Sequence, residues 1–332
     1  MPDLSATAIA HPNIAFIKYW GNRDAPLRLP QTGSLSMNLA GLQTTTTVYF
    51  DTALTCDRFI LDGREQNGEG LARVSAFLDQ MRRLAGRQLY AEVRSLNNFP
   101  QGSGIASSAS GFAALALAGS HALGLSLKEA ELSRLARLGS GSACRSIPDG
   151  FVEWLPGTGD ADSYAVSIAP ASHWDLVDLV TVVDPTPKRV GSTSGHDLAQ
   201  SSPLNALRVA GTPGRLARCR EAVLARDFAG LAEVVEQDSN WMHAVMRTSN
   251  PPIYYWTPAT EVVLWNVIGW RAQGHAVCAT VDAGPNVHVI ALASEEVWAR
   301  QALTELPGVQ SVLIAQPGEG ARLVEGMRPD TV

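Results

Sequence analysis

Lysine is nearly missing from this chain. Lys18, Lys128 and Lys188 are its only three in 332 residues, and 26 basic against 32 acidic side chains leave a formal charge of −6. General affinity for nucleic acid needs a basic footprint, so none is expected. A protein with this balance that takes an anionic substrate must gather its few cations in one place. Cysteine is scarce as well. Cys56, Cys144, Cys219 and Cys278 lie far apart with no CxxC spacing, which excludes a zinc knuckle and fits reduced thiols in a cytoplasm. Residues 1–10 show no basic region ahead of an apolar core, so no secretory signal is visible. The apolar runs are too short or too interrupted to span a bilayer. A cytoplasmic protein with no membrane partner is expected. Neither the Gly-Lys-Ser/Thr ending of a P-loop nor a GxGxxG dinucleotide fingerprint is present, which removes both of those phosphate-binding mechanisms.

What is present suits a globular α+β protein: 45% of the residues are hydrophobic and 17% charged. The length allows two domains, each with its own core. The pattern predicts strands at 13–17, 34–39, 44–50 and 90–95 and helices at 71–84, 112–125 and 127–138. Further strands are expected at 150–155 and 176–183. Asp184-Pro185-Thr186-Pro187 then breaks the chain, placing the domain boundary between 1–183 and 184–332. A polar loop is expected at 188–195. Helices follow at 216–225, 228–236 and 261–272, strands at 276–281 and 287–292, a helix at 295–303 and a strand at 311–315. Residues from Gly318 onward look loosely ordered.

Four polar stretches stand between these elements. The most telling is the run from Asn97 to Gly111, where turn-forming residues and two glycines pass into an Ala- and Leu-rich helix. Such a loop aims backbone N–H groups outward where a helix begins, which favours an anion. Ser107 and Ser108 add hydroxyls suited to a phosphate or its metal ion. The others are Lys18 to Asp24, Ser140 to Arg145 and Asp282 to Asn286. Singly, each has an ordinary alternative. Asp282 reads as a turn aspartate ahead of Gly284-Pro285, Arg145 as a structural salt bridge, Lys18 as a surface group, and Ser140 and Ser142 as helix caps.

Taken together and in this order, the words Asn-Ile-Ala-x-x-Lys-Tyr-Trp-Gly, Asn-Asn-Phe-Pro-x-x-x-Gly-x-Ala-Ser-Ser-Ala, Gly-Ser-Gly-Ser-Ala-Cys-Arg-Ser and Asp-Ala-Gly-Pro-Asn resemble the mevalonate diphosphate decarboxylases of the GHMP kinase superfamily. The resemblance spans nearly the whole chain. It implies a two-domain α+β fold of the GHMP type, with an N-terminal half like ribosomal protein S5 domain 2 and a plait-like C-terminal half. It also implies an active site in the cleft between domains, ATP and Mg²⁺ as cofactors, and a homodimer. The implied reaction phosphorylates a tertiary C3 hydroxyl, after which phosphate and CO₂ leave.

On that resemblance Asp282 would hold and deprotonate the hydroxyl. Arg145 would take the substrate carboxylate through its planar fork, and Lys18 would keep Asp282 ionised. Tyr19, Asn22, Ser140, Gly141, Ser142, Ala143, Cys144, Arg145 and Thr193 would surround the substrate. Gly102, Ser103, Gly104, Ala106, Ser107, Ser108 and Lys188 would hold the ATP phosphates, with Ser107 and Ser108 near the metal. Lys188, Ser192 and Thr193 would belong to a mobile lid.

Three departures from the family pattern bear on the substrate. Diphosphate-specific members carry lysine where this chain has Asn22, and an arginine in the helix where Asp79 stands by alignment. The family's Leu-Pro-x-Asn-Ser-Ser asparagine is also missing, with Thr32 and Gly33 in its region. A close charge pair is worth about 4 kcal/mol at ~4 Å and an effective dielectric of about 20. Losing a fraction of that predicts mevalonate 5-phosphate as substrate and isopentenyl phosphate as product, with the 5-diphosphate as the alternative. Arg23, Arg28, Arg82 and Arg83 are the cations that could restore the missing charge. A C3 kinase that stops before decarboxylation, and an idle relative that only binds its ligand, are the remaining readings.

Overall fold

The computed structural model describes residues 4–99, 107–186 and 191–324. Among these are eight α-helices: α1 (Glu69–Ala85), α2 (Ser107–Ala122), α3 (Glu129–Gly139), α4 (Ser192–Leu198), α5 (Asn205–Ala225), α6 (Phe228–Arg247), α7 (Pro258–Ala272) and α8 (Glu296–Thr304). The helix starts follow from local chemistry. Asp227 caps α6 by accepting the Gly230 N–H at 3.0 Å, and Thr257 caps α7 just ahead of Pro258.

The first sheet has the order Arg322–Leu323, Ser5–Ala10, Thr44–Asp51, Tyr90–Asn97, Arg58–Leu61, Arg64–Gln66. Its strands alternate, so Ala8, Ala10, Val48, Phe50, Ala91 and Val93 turn inward onto Val74, Phe77, Leu78 and Met81 of α1 and the alanines of α2. Those small residues let α2 lie close to its neighbours. A Cβ on Gly139 at the end of α3 would fall 2.1 Å from the Phe112 ring.

The second sheet joins the two halves of the sequence. Its order is Ala165–Ala169, Phe151–Trp154, Ser34–Ala40, Ser311–Pro317, Leu176–Val182, Val287–Leu292, Val277–Val281, and Asn13–Ile17 also pairs with Ser34–Ala40. These strands are apolar on both faces because both are covered. One face packs on α5 and α6 through Ile14, Phe16, Val180, Val223, Leu231 and Val235. The opposite face packs on α7 and α8 through Leu179, Val289, Val263, Val267 and Leu303. Helix α6 lies against both Asn13–Ile17 and Val277–Val281, two strands far apart in sequence whose ends carry Lys18 and Asp282.

Two expectations fail here. Of the segment from Gly318, residues 318–324 are built into the structure, and 325–332 lie outside the described residues. Gly318 N–H donates to the Asn38 carbonyl at 2.8 Å, Ala321 N–H donates to Ser146, and Arg322–Leu323 pairs with Ala8 and Ile9. Its polar, glycine-containing sequence hides this, because backbone pairing and not side-chain burial holds it. The polar stretch 188–195 is not all loop: helix α4 begins at Ser192. The strands Ser5–Ala10, Arg58–Leu61 and Ala165–Ala169 escape the periodicity argument because they are short, and the first and last are partly built of alanine. Among the described residues no helix is long and apolar enough to cross a membrane.

Candidate active site

A cavity of about 380 Å³ opens between the end of Asn13–Ile17, the start of α2, the Gly141–Ser146 turn, α4 and the Asp282 loop. Lys18 is its centre. The side chain is 2% exposed, and its ammonium donates to Asp282 Oδ1. A buried lysine needs such a partner. Burial alone would push the Asp282 carboxyl up. The positive Lys18, assisted by His288 and Arg145, outweighs that and holds it below its ordinary value. The result is a carboxylate kept ionised and open to the cavity.

Arg145 is 3% exposed and forms no ion pair among the described residues. Its Nη1 donates to Ser34 Oγ at 2.7 Å and its Nη2 to Asn13 Oδ1 at 3.0 Å. Asn13 in turn donates to Ser146 Oγ at 2.8 Å and to the Ser142 carbonyl at 3.2 Å. Burial lowers the Arg145 pKa, opposed by neighbouring groups that include Asp282. A buried guanidinium held by neutral acceptors leaves its charge available to an anionic ligand.

Ser107, Ser108, Ser140, Gly141, Ser142 and Thr193 all line the cavity. Ser108 Oγ lies 3.2 Å from Ser140 Oγ, which brings the start of α2 against the turn. Gly141 is required by close approach, since a Cβ there would sit 2.5 Å from the Tyr19 ring. Tyr19 and Trp20 stack beside His196, whose Nδ1 accepts the Gly21 N–H at 2.9 Å.

A second group of cations gathers at the end of α3. Arg28 donates from Nε to the Leu138 carbonyl at 3.0 Å, and Arg73 donates to the Gly139 carbonyl at 2.8 Å. Both line the cavity. The Arg73 guanidinium lies over the Phe112 ring at 4.6 Å. Desolvation at that contact, then the like charge of Arg28, lowers its pKa to about 10 despite the solvent the side chain still meets. Neither arginine forms an ion pair with a carboxylate among the described residues. The Glu69 carboxylate, one turn earlier on α1 and on the same lining, offsets part of the Arg73 charge, and two guanidiniums side by side still make a site for a polyanion.

Several expected residues fall elsewhere. Ala143 and Cys144 are fully buried away from the cavity. The Cys144 thiol, pushed up to about 12 by burial, packs with Val152 and Trp154. Asn22 is not on the lining; its Oδ1 accepts the Tyr19 hydroxyl at 2.5 Å. Gly102, Ser103, Gly104, Ala106 and Lys188 lie outside the described residues. Sequence reasoning named Arg28 among the cations that could restore the missing charge, but missed Asn13, Arg73, Glu69 and His196. Asn13 opens one of the quoted words, so a signal for it existed; an isolated arginine on a helix gave none.

The α+β architecture, with a cavity where two halves of the chain meet, is the arrangement expected of a GHMP-type fold. Two family models match the chain: the diphosphomevalonate decarboxylase-like N-terminal domain over residues 10–165, and the mevalonate 5-diphosphate decarboxylase C-terminal domain over residues 178–314. The diphosphomevalonate decarboxylase of Homo sapiens is 39% identical over 318 residues, covering 88% of this chain and 78% of that one. The Aspergillus fumigatus relative is 41% identical over 303 residues, 85% of this chain and 75% of that one. Among solved structures, one described as MDDEF in complex with MVAPP, AMPPCP and magnesium superposes with a TM-score of 0.91 at 38% identity, over 97% of this chain and 99% of the other. Mevalonate diphosphate decarboxylase from Staphylococcus aureus gives 0.92 at 37%, over 97% and 98%. The chain belongs to the diphosphomevalonate decarboxylase family, an ATP-dependent carboxy-lyase family.

These relatives carry the name of the diphosphate and overturn the expected preference for mevalonate 5-phosphate. The error lay in the placement of Asp79. It stands six residues after Arg73 on α1, about 120° around the helix, and its carboxylate pairs with Arg82 at 2.7 Å outside the cavity. The arginine facing the cavity from this helix is Arg73. Arg28 stands beside it, so the neutral Asn22 does not leave the site short of charge. Of the other cations considered, Arg23 is spent on the Pro156 carbonyl and Arg82 on Asp57 and Asp79.

Proposed function

We propose that this protein catalyses the ATP-dependent decarboxylation of mevalonate 5-diphosphate to isopentenyl diphosphate, with release of ADP, phosphate and CO₂. The observation that carries the reading is one cavity holding an ionised carboxylate, Asp282, between Lys18 and Arg145, together with the guanidiniums of Arg28 and Arg73.

The residues fit the two stages in turn. Asp282 accepts the proton of the C3 hydroxyl as its oxygen attacks the γ-phosphorus of ATP, and the bond to ADP breaks. Lys18 supports the carboxylate before transfer and offsets charge developing on the phosphoryl group. The C3–O bond then breaks with its electron pair leaving on phosphate. The C1–C2 bond supplies the pair that forms the new double bond, and CO₂ departs. Arg145, held rigid by Asn13 and Ser34, binds the C1 carboxylate and keeps that bond aligned for fragmentation. Arg28 and Arg73 bind the terminal phosphate of the substrate, while Ser140, Ser142 and Thr193 orient the chain between.

The start of α2 suits a nucleotide phosphate, with Ser107 and Ser108 directed to the cavity. Magnesium binds through few protein oxygens and several phosphate oxygens. The Ser107 and Ser108 hydroxyls, with the Glu69 carboxylate on the same lining, are hard donors that would hold it together with the phosphate oxygens. When bound, the ion neutralises phosphate charge during transfer.

The test is to incubate the protein with ATP, Mg²⁺ and either mevalonate phosphate, following ADP and CO₂ and weighing the product. Equimolar ADP and CO₂ with a higher kcat/KM for the diphosphate is the expected result. ADP without CO₂ would leave a C3 kinase, and binding without turnover an idle relative.

A further inference from the structure

Lys18 follows the strand Asn13–Ile17 and Asp282 follows Val277–Val281. These strands come from opposite halves of the sequence and are not hydrogen-bonded to each other. They share the second sheet but are separated by intervening strands, so no direct pairing sets the distance between their ends, yet the ammonium and carboxylate meet in direct contact. Something else must hold the two backbones.

One face of α6 touches both. Asp238, Ser239, Met242 and His243 follow at i, i+1, i+4 and i+5, the spacing of a single helical stripe. Asp238 Oδ2 accepts the backbone N–H of Lys18 at 2.7 Å. Ser239 Oγ accepts the N–H of Val281 at 3.1 Å, and His243 Nε2 lies 3.1 Å from the Val281 carbonyl. Met242 lines the cavity beside them. The residue before Asp282 is thus held at its N–H and its C=O from one helix, which also holds Lys18.

Helix α5 completes the grip. Arg215 Nε donates to Asp238 Oδ1 at 2.7 Å, fixing that carboxylate. Arg208 donates to the carbonyls of Lys18 and Trp20 at 2.7 and 3.0 Å. Asp238, Ser239, His243, Arg208 and Arg215 are all buried. A carbonyl can only accept, so the His243 proton sits on Nε2. Burial, joined by the positive Lys18 and Arg247, lowers the His243 pKa to about 3. The imidazole therefore stays a neutral donor and adds no competing charge beside the ion pair.

We propose that the Asp238, Ser239 and His243 face of α6 is the positioning element of the reaction centre, setting the Lys18–Asp282 geometry from behind. This rests on the reading of Asp282 as the base. None of the three lines the cavity wall, so they are positioning residues. A displacement of about 1 Å at a reacting group can cost roughly 100-fold in rate, which makes the backbone of Val281 a sensitive lever.

The experiment uses the full chain with ATP, Mg²⁺ and mevalonate 5-diphosphate, comparing Ser239→Ala, His243→Phe and His243→Gln with wild type. His243→Phe removes the donor, while His243→Gln keeps an N–H that can reach the same carbonyl. The expected result is a fall in kcat of about tenfold or more for His243→Phe, with both KM values held within about twofold and partial recovery in His243→Gln. Ser239→Ala, the milder change, should lower kcat in the same KM-independent way, and it carries the test if His243→Phe does not fold. Unchanged kcat in Ser239→Ala and His243→Phe, parallel rises in KM, or a His243→Gln no better than His243→Phe would overturn the proposal. Absence of turnover in the wild type would instead remove the functional reading itself.

Discussion

The reaction centre and the arginine pair hold the same kind of charge in opposite ways. Lys18 is almost fully buried and joined to Asp282, and Arg145 is braced by Asn13 and Ser34. Arg28 and Arg73 donate to carbonyls at the end of α3, and Arg73 also lies over Phe112, with neither in a salt bridge to a carboxylate among the described residues. Geometry explains the division. Proton transfer and fragmentation need atoms fixed to a fraction of an ångström, and burial with full hydrogen bonding supplies that. Binding a terminal phosphate needs net charge and tolerates some movement, so two partly hydrated guanidiniums serve. If this division is right, damage to the centre should fall on kcat, and damage to the arginine pair on KM.

The sharpest test is Asp282→Asn. The amide preserves shape but cannot take the C3 proton, so kcat should fall by about two to four orders of magnitude, the usual worth of a general base. KM for the diphosphate should change little. A variant retaining half its rate would remove Asp282 from the chemistry and erase the contrast between the two regions.

Lys18→Met should cost less at high pH and more at low pH. In wild type the Asp282 carboxyl is held below its ordinary value of 3.8, because Lys18, with His288 and Arg145, outweighs the burial that would raise it. A base with a lowered pKa keeps its activity down to acid pH. Without Lys18, burial is opposed only by the weaker influences, so the Asp282 pKa rises and the acid limb of the kcat profile moves to higher pH. A pH–rate series on the two proteins reads this directly. An acid limb that stays in place would show that Lys18 does not govern the carboxylate.

How much of this was legible in the sequence follows the same division. Lys18, Arg145 and Asp282 sit in short contiguous words of small residues, because a rigid turn must be built from neighbours, and such words survive as patterns. The turn from Gly141 is an instance: Tyr19 leaves no room there for a Cβ. Asn13, within one of those words, gained its role only when the Ser142 and Ser146 contacts became visible. The arginine pair left no word. Arg73 is one polar residue on an amphipathic helix, and nothing local distinguishes it from Asp79, which points elsewhere. The three clamp residues of α6 read as ordinary members of a helix because their partners lie 38 and 42 positions away in Val281 and 220 positions away in Lys18. The strand alternation around 34–50 was plain. Ser5–Ala10 and Arg322–Leu323 were not, since both depend on pairing across the length of the chain.

The smallest effect tests the other side of the comparison. Arg73→Met removes one of the two guanidinium charges and keeps a side chain able to lie on Phe112. A bare pair is worth about 4 kcal/mol at ~4 Å and an effective dielectric of about 20, but Arg73 meets solvent and Arg28 remains. Solvent screening cuts the contribution of such groups severely. A residue of about 1.4 kcal/mol corresponds to tenfold in affinity, so KM for mevalonate 5-diphosphate should rise about tenfold, with kcat nearly unchanged. Mevalonate 5-phosphate lacks the outer phosphate, so its kinetics should respond less, and the preference for the diphosphate should narrow. A loss of kcat equal for both substrates would instead place Arg73 with the reaction centre.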